Sequence, residues 1–247
     1  MRESGILMHI TSLPAPYGIG TMGKDAYAFV DFLVRAGQRY WQILPLTPTG
    51  YGDSPYQSLG ACAGNHYLID LDRLADEGLL KKEKIQNIPW GSNPARVDFG
   101  AMYAHRMNVL RLAFQRFAPD EAYETFVEQN RSWLEDYALF TALKDTLGGK
   151  PWLDWPEALR LRKADALAEK RRELSDEIRL QYFVQYEFDR QWKALRSYAN
   201  AKGVRIIGDV PIYVPLDSAD VWANPELFQL DESRHPEQVA GCPPDSF

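Results

Sequence analysis

The sequence predicts an α/β protein built on a parallel sheet. Three short apolar segments, residues 5–10, 40–45 and 204–209, are typical of buried strands. Each runs into a loop rich in Gly, Pro and polar side chains, and helical patterns lie between them. Because apolar strands that alternate with helices form parallel sheets, functional groups are expected on the loops that follow the strands.

One short helix separates the first two strands. A loop that begins at Thr11 leads into a segment whose apolar residues keep helical spacing from Ala26 to Ala36. Gly37 supplies the expected stop, because glycine readily adopts the left-handed conformation that ends helices. The second strand follows and leads into the loop 47–60.

A long, mostly helical stretch separates the second strand from the third. Helices are predicted around 99–117 and 121–147, and the charged segment 160–178 is predicted to be a solvated helix. Residues 180–199 carry an apolar helical face, and that helix is expected to end at Gly203.

The chain is therefore predicted to have three parts. Residues 1–60 hold the first two strands and their loops, and 61–178 form a helical insertion. Residues 179–247 hold the return helix, the third strand and the start of a further loop. Within the insertion, segment 151–156 sets two Trp beside two Pro, and packing between helices is favoured there over a ligand platform.

Composition excludes several classes of protein. The 247 residues are 45% hydrophobic and carry a net charge of −6, so nucleic acid is not expected as a partner. Cys62 and Cys242 lack metal-site spacing and are expected to be free thiols, and neither a metal nor a cofactor is predicted. With no apolar run near roughly 18 residues and no signal peptide, we expect a cytoplasmic protein without a membrane partner.

The loops after the strands carry groups suited to a polyhydroxylated ligand. The second loop gathers an acid, hydroxyls, an amide and two phenols between residues 50 and 58, and the third begins at Asp209. Aromatic rings pack on the C–H faces of pyranoses, and polar neighbours bind the hydroxyls. These residues predict a polar ligand, most simply a sugar.

Three strand units are too few to close a (β/α)₈ barrel, which needs eight. Two architectures stay open on this reasoning: an open three-layer fold, or the front part of something longer. The final residues, 239–247, have loop chemistry and end without a closing element, which favours the second.

Long runs around these loops resemble the N-terminal half of the 4-alpha-glucanotransferase family, which includes amylomaltase and disproportionating enzyme. They occur in the family's order and are residues 12–14, 17–20, 43–46, 48–58, 63–65, 67–71, 207–214 and 217–228. The resemblance implies a partial (β/α)₈ TIM barrel of the alpha-amylase superfamily. The chain would hold the first three strand units and a large helical insertion after the second strand.

The resemblance also implies an activity. Members transfer alpha-1,4-glucan segments to the 4-hydroxyl of an acceptor glucan or glucose by a retaining double displacement. Alpha-1,4-glucans such as maltooligosaccharides, starch or glycogen chains would be its partners. The family's catalytic carboxylates lie in Arg-Ile-Asp-His, Glu-Asp-Leu-Gly and His-Asp-Asn blocks, and none of these occurs in this sequence. No catalytic residue is therefore assigned, and the chain alone is expected to be inactive.

The residues that carry over are substrate-binding ones. Tyr56 matches the tyrosine under the glucose at the cleavage subsite, with Asp53 and Ser54 on the same loop. Asp209 matches an aspartate that supports this subsite, and a buried acid that fixes the loop is the alternative.

Two further tyrosines, Tyr51 and Tyr103, match residues that line a second glucan site in some members. For Tyr103, which falls in a predicted helix, packing is an equal alternative. His66 stands where the family usually has proline, and a surface or loop role is favoured over a catalytic base because its block offers no acidic partner.

Two other functions compete with a fragmentary glucanotransferase. One is a noncatalytic alpha-glucan-binding module, and the other is a glycan hydrolase of the same superfamily, against which the matched runs argue. A three-strand piece of a barrel would leave a sheet edge and apolar surface uncovered, so self-association is expected.

Overall fold

The computed structural model describes residues 2–50, 52–93, 95–238 and 241. Three parallel strands form one sheet in the order β1 (Gly5–Leu7), β2 (Tyr40–Gln42) and β3 (Arg205–Ile207). The predicted α/β class with a parallel sheet is confirmed.

The helices of the described residues lie mostly between β2 and β3. They are α1 (Lys24–Arg35), α2 (Leu71–Asp76), α3 (Glu83–Gln86), α4 (Phe99–Phe114), α5 (Glu121–Thr146), α6 (Glu157–Arg160), α7 (Ala164–Glu173), α8 (Ser175–Ala201) and α9 (Ala219–Ala223). Short 3-10 turns are found at Ile10–Ser12, His66–Leu68, Trp152–Asp154 and Pro225–Leu227. The helices predicted around 99–117 and 121–147 correspond to α4 and α5.

The strands are shorter and less buried than predicted. Each covers three residues, and the ladder is prolonged only by single bonds such as Met8 N–H to the Gln42 carbonyl at 2.9 Å. The central residue of each strand is the least exposed, whereas Leu7 and Ile207 at the strand ends are 55% and 43% exposed. The prediction of buried strands therefore holds, fully or in part, only for the central residue of each strand.

The predicted helix 160–178 is confirmed only in part, because α7 and the start of α8 lie within it but are separated from each other and from α6. The segment 160–178 is broken between α6 and α7, where Arg162 has a φ of 55°, and again at Leu174 before α8 begins. Arg162 is held by tertiary contacts: its guanidinium lies 4.2 Å from the Trp222 ring centre and donates to Asp136 at 2.8 Å. These contacts fix a left-handed residue that a continuous right-handed helix cannot contain.

The largest core cluster lies on one side of the sheet. Trp41 of β2 is fully buried there, donates its indole N–H to the Met8 carbonyl at 2.7 Å and meets the Phe29 ring of α1 edge-on at 5.1 Å. Residues of α4 and α8 join the same cluster, among them Leu110 and Leu195. The insertion helices therefore share a core with the strands.

A second core cluster is built on tryptophans. Trp152, Trp155 and Trp222 are each at most 3% exposed, and Trp155 lies 5.7 Å from Trp222 between ring centres. Burial of both Trp of segment 151–156 supports packing rather than a ligand platform. Within the described ranges, no helix is long and apolar enough to cross a membrane.

Candidate functional site

The loop after β2 is closed at its base and folded back at its tip. At the base, the Asn65 N–H donates to the Leu46 carbonyl at 2.7 Å. At the tip, Gly50 N–H donates to the Gln57 carbonyl at 3.0 Å, and Asp53 N–H donates to the Gly50 carbonyl at 3.1 Å. We call residues 46–65 the β2 loop.

Tyr56 of the β2 loop meets Asp209 at the end of β3. The phenol donates to Asp209 Oδ2 at 2.7 Å across 153 positions of sequence, and Asp209 Oδ1 accepts the Val210 N–H at 2.8 Å. The hydrogen bond to the carboxylate raises the pKa of Tyr56, so the phenol stays a donor at neutral pH. Tyr56 remains 46% exposed, which leaves much of its side chain open to a ligand. The half-buried Asp209 thus holds a neighbouring side chain as well as its own loop.

Asp53 and Ser54 shape the turn before Tyr56. Ser54 Oγ accepts the Tyr56 N–H at 3.3 Å, and the Ser54 carbonyl accepts the Gln57 N–H at 3.1 Å. Asp53 has a φ of 58°, and its Oδ1 is buried without a donor among the described residues. Burial raises the pKa of the Asp53 carboxyl. Ser54 therefore stabilises this turn through its side chain, whereas Asp53 takes part in it through its backbone.

Tyr103 connects α4 to the tip of the β2 loop. Its hydroxyl donates to the Gly50 carbonyl at 3.0 Å, and its ring meets Tyr67 edge-on at 6.3 Å between centres. The side chain is nevertheless 53% exposed, so packing and an open aromatic surface occur together. Tyr51, the other tyrosine expected at a second glucan site, lies outside the described residues.

Tyr56 and Tyr103 line a cleft of about 770 Å³, whereas Asp53, Ser54 and Asp209 are not among its lining residues. Lys144 from the end of α5 and Tyr213 from the segment after β3 also line this cleft. Lys144 is mostly buried and pairs with Asp217 Oδ2 at 2.5 Å, which ties the insertion to the segment after β3. The cleft combines exposed phenols with charged groups, a lining suited to a polyhydroxylated ligand.

Sequence reasoning did not select Lys144 or Tyr213 as site residues. Lys144 lies in the last turn of a 26-residue helix, where its local pattern is that of any solvated helix end. Tyr213 lies between two prolines on the loop after β3, and this place on a loop that follows a strand was its only local signal; in the structure it is 70% exposed. Contacts between distant segments bring both residues to the cleft.

The segment after β3 has two differently held parts. Val210 and Ile212 in its first part are 80% and 92% exposed. Its second part is bonded to its surroundings: Trp152 Nε1 donates to the Leu216 carbonyl at 2.6 Å, and the Ala219 N–H donates to the Leu59 carbonyl at 2.9 Å. The anchored part joins the β2 loop to the insertion.

Cys62 lies within the β2 loop, and His66 directly follows that loop. The His66 ring is half-buried and lies 4.2 Å from the Tyr67 ring, and burial together with Arg106 lowers the pKa of His66 to about 3. His66 is therefore neutral at physiological pH, and it lies in the 3-10 turn His66–Leu68. Cys62 is an exposed free thiol, and Cys242 lies outside the described residues.

Comparison with known proteins gives a consistent result. The profile of the 4-alpha-glucanotransferase family matches residues 8–247. A 4-alpha-glucanotransferase of Thermus thermophilus is 52% identical over all of this chain and 49% of its own length. One from Clostridium butyricum is 48% identical over 97% of this chain and 50% of its own length. The chain thus spans about half the length of these curated relatives.

A solved structure agrees with the sequence relatives. Amylomaltase from Streptococcus agalactiae, solved in complex with acarbose, superimposes on all of this chain and 51% of its own with a TM-score of 0.96 at 48% identity. The family profile covers nearly the whole chain, and the α/β arrangement described above is shared with this neighbour. This chain belongs to the 4-alpha-glucanotransferase family.

Proposed function

We propose that this chain is the N-terminal half of a 4-alpha-glucanotransferase. The complete enzyme would move alpha-1,4-glucan segments to the 4-hydroxyl of an acceptor glucan or glucose by a retaining double displacement. The observation that carries this proposal is the Tyr56–Asp209 pair, which joins the β2 loop to the residues just after β3 beside a cleft of about 770 Å³.

The chemistry of this pair suits glucose. A phenol ring presents an apolar face to the C–H groups of a pyranose, and a carboxylate accepts sugar hydroxyls. Because Asp209 holds the Tyr56 hydroxyl at 2.7 Å, the ring is oriented before a ligand arrives, which lowers the entropy lost on binding. Acarbose, an oligosaccharide analogue, is bound by the similar amylomaltase from Streptococcus agalactiae, which supports an alpha-glucan as the ligand.

The architecture proposed for the whole enzyme is a (β/α)₈ barrel. The three parallel strands would be its first three units, with residues 61–178 as the insertion after the second strand. Exposure of Leu7 and Ile207 on one sheet face is consistent with an interior layer that further strands would complete. The family's catalytic carboxylate blocks would belong to that remaining part.

Tyr103, together with Tyr51, is proposed to line a second glucan site. The exposed ring of Tyr103 supports this role, and its bond to the Gly50 carbonyl would connect that site to the loop that carries Tyr56. Asp53 and Ser54 would act by holding the turn of that loop.

The test is incubation with maltotriose, followed by chromatography of glucose and of longer maltooligosaccharides together. The full encoded polypeptide is expected to form both products, because transfer conserves glycosidic bonds. The 247-residue chain is expected to form neither product, provided that circular dichroism first confirms that it is folded.

Three outcomes would contradict the proposal. Release of short sugars without longer products would indicate a hydrolase. Binding without turnover by the full encoded polypeptide would indicate a noncatalytic module. Transfer by the 247-residue chain that disappears in Asp209→Asn would show that the carboxylates within it suffice.

A further inference from the structure

Two buried glutamines of α8 bond to the main chain of the segment that follows β2. Gln185 Oε1 accepts the Gly64 N–H at 2.7 Å, and Gln185 Nε2 donates to the Gly64 carbonyl at 3.0 Å. Gln191 makes the same two bonds with Asp70, at 2.7 and 3.4 Å. A primary amide has one acceptor and one donor group side by side, so it satisfies both polar groups of a residue outside regular structure.

The Gln185 bonds fall at the base of the β2 loop. Gly64 precedes Asn65, whose N–H closes the loop on the Leu46 carbonyl at 2.7 Å. A Cβ atom on Gly64 would lie 2.0 Å from the Phe188 ring of α8, so the loop base lies directly against the helix. Gln185 is 2% exposed, and water therefore cannot replace its two bonds without a change in this packing.

The same helix determines where Asp209 lies. Helix α8 ends at Ala201, Gly203 turns the chain with a φ of 77°, and β3 then leads to Asp209. One rigid element thus positions both partners of the Tyr56–Asp209 hydrogen bond. It positions Tyr56 through the Gln185 bonds to the loop base, and it positions Asp209 through the strand.

We propose that Gln185 is a positioning residue for glucan binding, which acts by holding the base of the β2 loop so that Tyr56 stays on Asp209. This proposal rests on the proposed function. Without the two bonds, fewer molecules would hold Tyr56 in the binding geometry, and the apparent affinity falls in proportion to that fraction.

Gln191 provides a matched control. It is fully buried on the same helix and makes the same pair of bonds. Its partner Asp70, however, begins α2 and accepts the Thr21 hydroxyl at 2.6 Å, a place apart from the β2 loop. Loss of Gln191 should therefore lower stability without loosening Tyr56.

The experiment compares Gln185→Leu and Gln191→Leu in the full encoded polypeptide. Acarbose binding is measured by calorimetry, and hydrogen exchange is followed by mass spectrometry for peptides within residues 46–65. In Gln185→Leu we expect about fivefold weaker acarbose binding and faster exchange over the loop. In Gln191→Leu we expect a lowered thermal midpoint with wild-type acarbose affinity and wild-type exchange over the loop.

Gln185→Glu keeps the test decisive if the leucine variant fails to fold. A protonated carboxyl can accept from the Gly64 N–H and donate to the Gly64 carbonyl, whereas a carboxylate cannot donate. Burial raises the pKa of a carboxyl, so the protonated form should persist at mildly acidic pH. Relative to wild type at each pH, acarbose affinity should be close to normal at about pH 5 and about fivefold weaker at about pH 8.

Wild-type affinity in Gln185→Leu, or equal loss in both leucine variants, would overturn the positioning role. So would unchanged exchange over residues 46–65 in Gln185→Leu. If the wild type itself fails to bind acarbose, the proposed function fails separately, and the exchange measurement still decides whether Gln185 holds the loop.

Discussion

The two faces of the three-stranded sheet are covered to different degrees. Trp41 and Ile206 pair in register on one face, where Trp41 is fully buried against α1 and the core cluster. On the opposite face, Leu7 and Ile207 are 55% and 43% exposed. Parallel sheets in proteins are normally covered on both sides, whereas only one face of this sheet is covered within the described residues.

The covered face stabilises the folded chain, whereas the exposed face is available for contact with other molecules. The covered face supplies the folded core that carries the β2 loop and Asp209. The exposed face contributes little to that core, and its apolar side chains are free to contact other apolar surfaces. Changes on the two faces should therefore have opposite consequences for stability and association.

The largest expected effect is on the covered face. Replacement of Trp41 by Ala removes a buried indole and its bond to the Met8 carbonyl, and should lower the free energy of unfolding by about 3–5 kcal/mol. Leu7→Ala should cost less than about 1 kcal/mol in the same chain, because Leu7 is already exposed. Guanidinium denaturation of both variants gives the comparison, and equal losses would contradict it.

Acid should have the next largest effect, through two partly buried histidines. Burial lowers the pKa of His9 to about 4, and burial together with Arg106 lowers that of His66 to about 3. Both folded-state values lie below the unfolded one, so their contribution is full above about pH 6.5 and is lost as pH falls. Each histidine should cost roughly 1–2 kcal/mol of unfolding free energy between about pH 6.5 and 5. Denaturation curves measured over a range of pH should show a smaller loss of unfolding free energy in His66→Phe than in the wild type. In Leu7→Lys this loss should equal that of the wild type.

A smaller effect is expected for association through the exposed face. The 247-residue chain should self-associate, and the double variant Leu7→Lys with Ile207→Lys should weaken this about tenfold by placing like charges on the face. Val34→Lys is the control, since Val34 is 41% exposed on α1. Sedimentation velocity over a range of concentrations measures the difference. Equal behaviour of control and double variant would exclude this face as the contact.

The smallest effect is expected when a tyrosine–carboxylate hydrogen bond is removed. Two such pairs lie at opposite ends of the sheet and can be compared. Tyr56 donates to Asp209 at 2.7 Å beside the cleft, and Tyr40 donates to Glu3 at 2.8 Å at the amino end of β2. Tyr56→Phe in the full encoded polypeptide should weaken acarbose binding about fivefold, because the ring loses its orienting bond. Tyr40→Phe should leave the affinity unchanged in the same calorimetric titration. An effect of equal size in both variants would place the cause outside the cleft.

The sequence by itself determined the elements whose signals are local. An amphipathic pattern followed by glycine predicted both α1 and the end of α8, and Gly37 and Gly203 do adopt positive φ values of 69° and 77°. The apolar centres of the three strands were likewise visible, as was the placement of Tyr56 and Asp209 on loops after strands. These features follow from backbone preferences and side-chain periodicity within a few residues.

Only the tertiary structure decided the features that depend on distant partners. Arg162 breaks a helix because of Asp136 and Trp222, and Lys144 reaches the cleft through its bond to Asp217. Gln185 looks like any polar residue of a helix until Gly64, 121 positions away, is packed against it. The free energy of such contacts comes from burial and hydrogen bonds between segments that the local sequence does not bring together, so no local pattern encodes them.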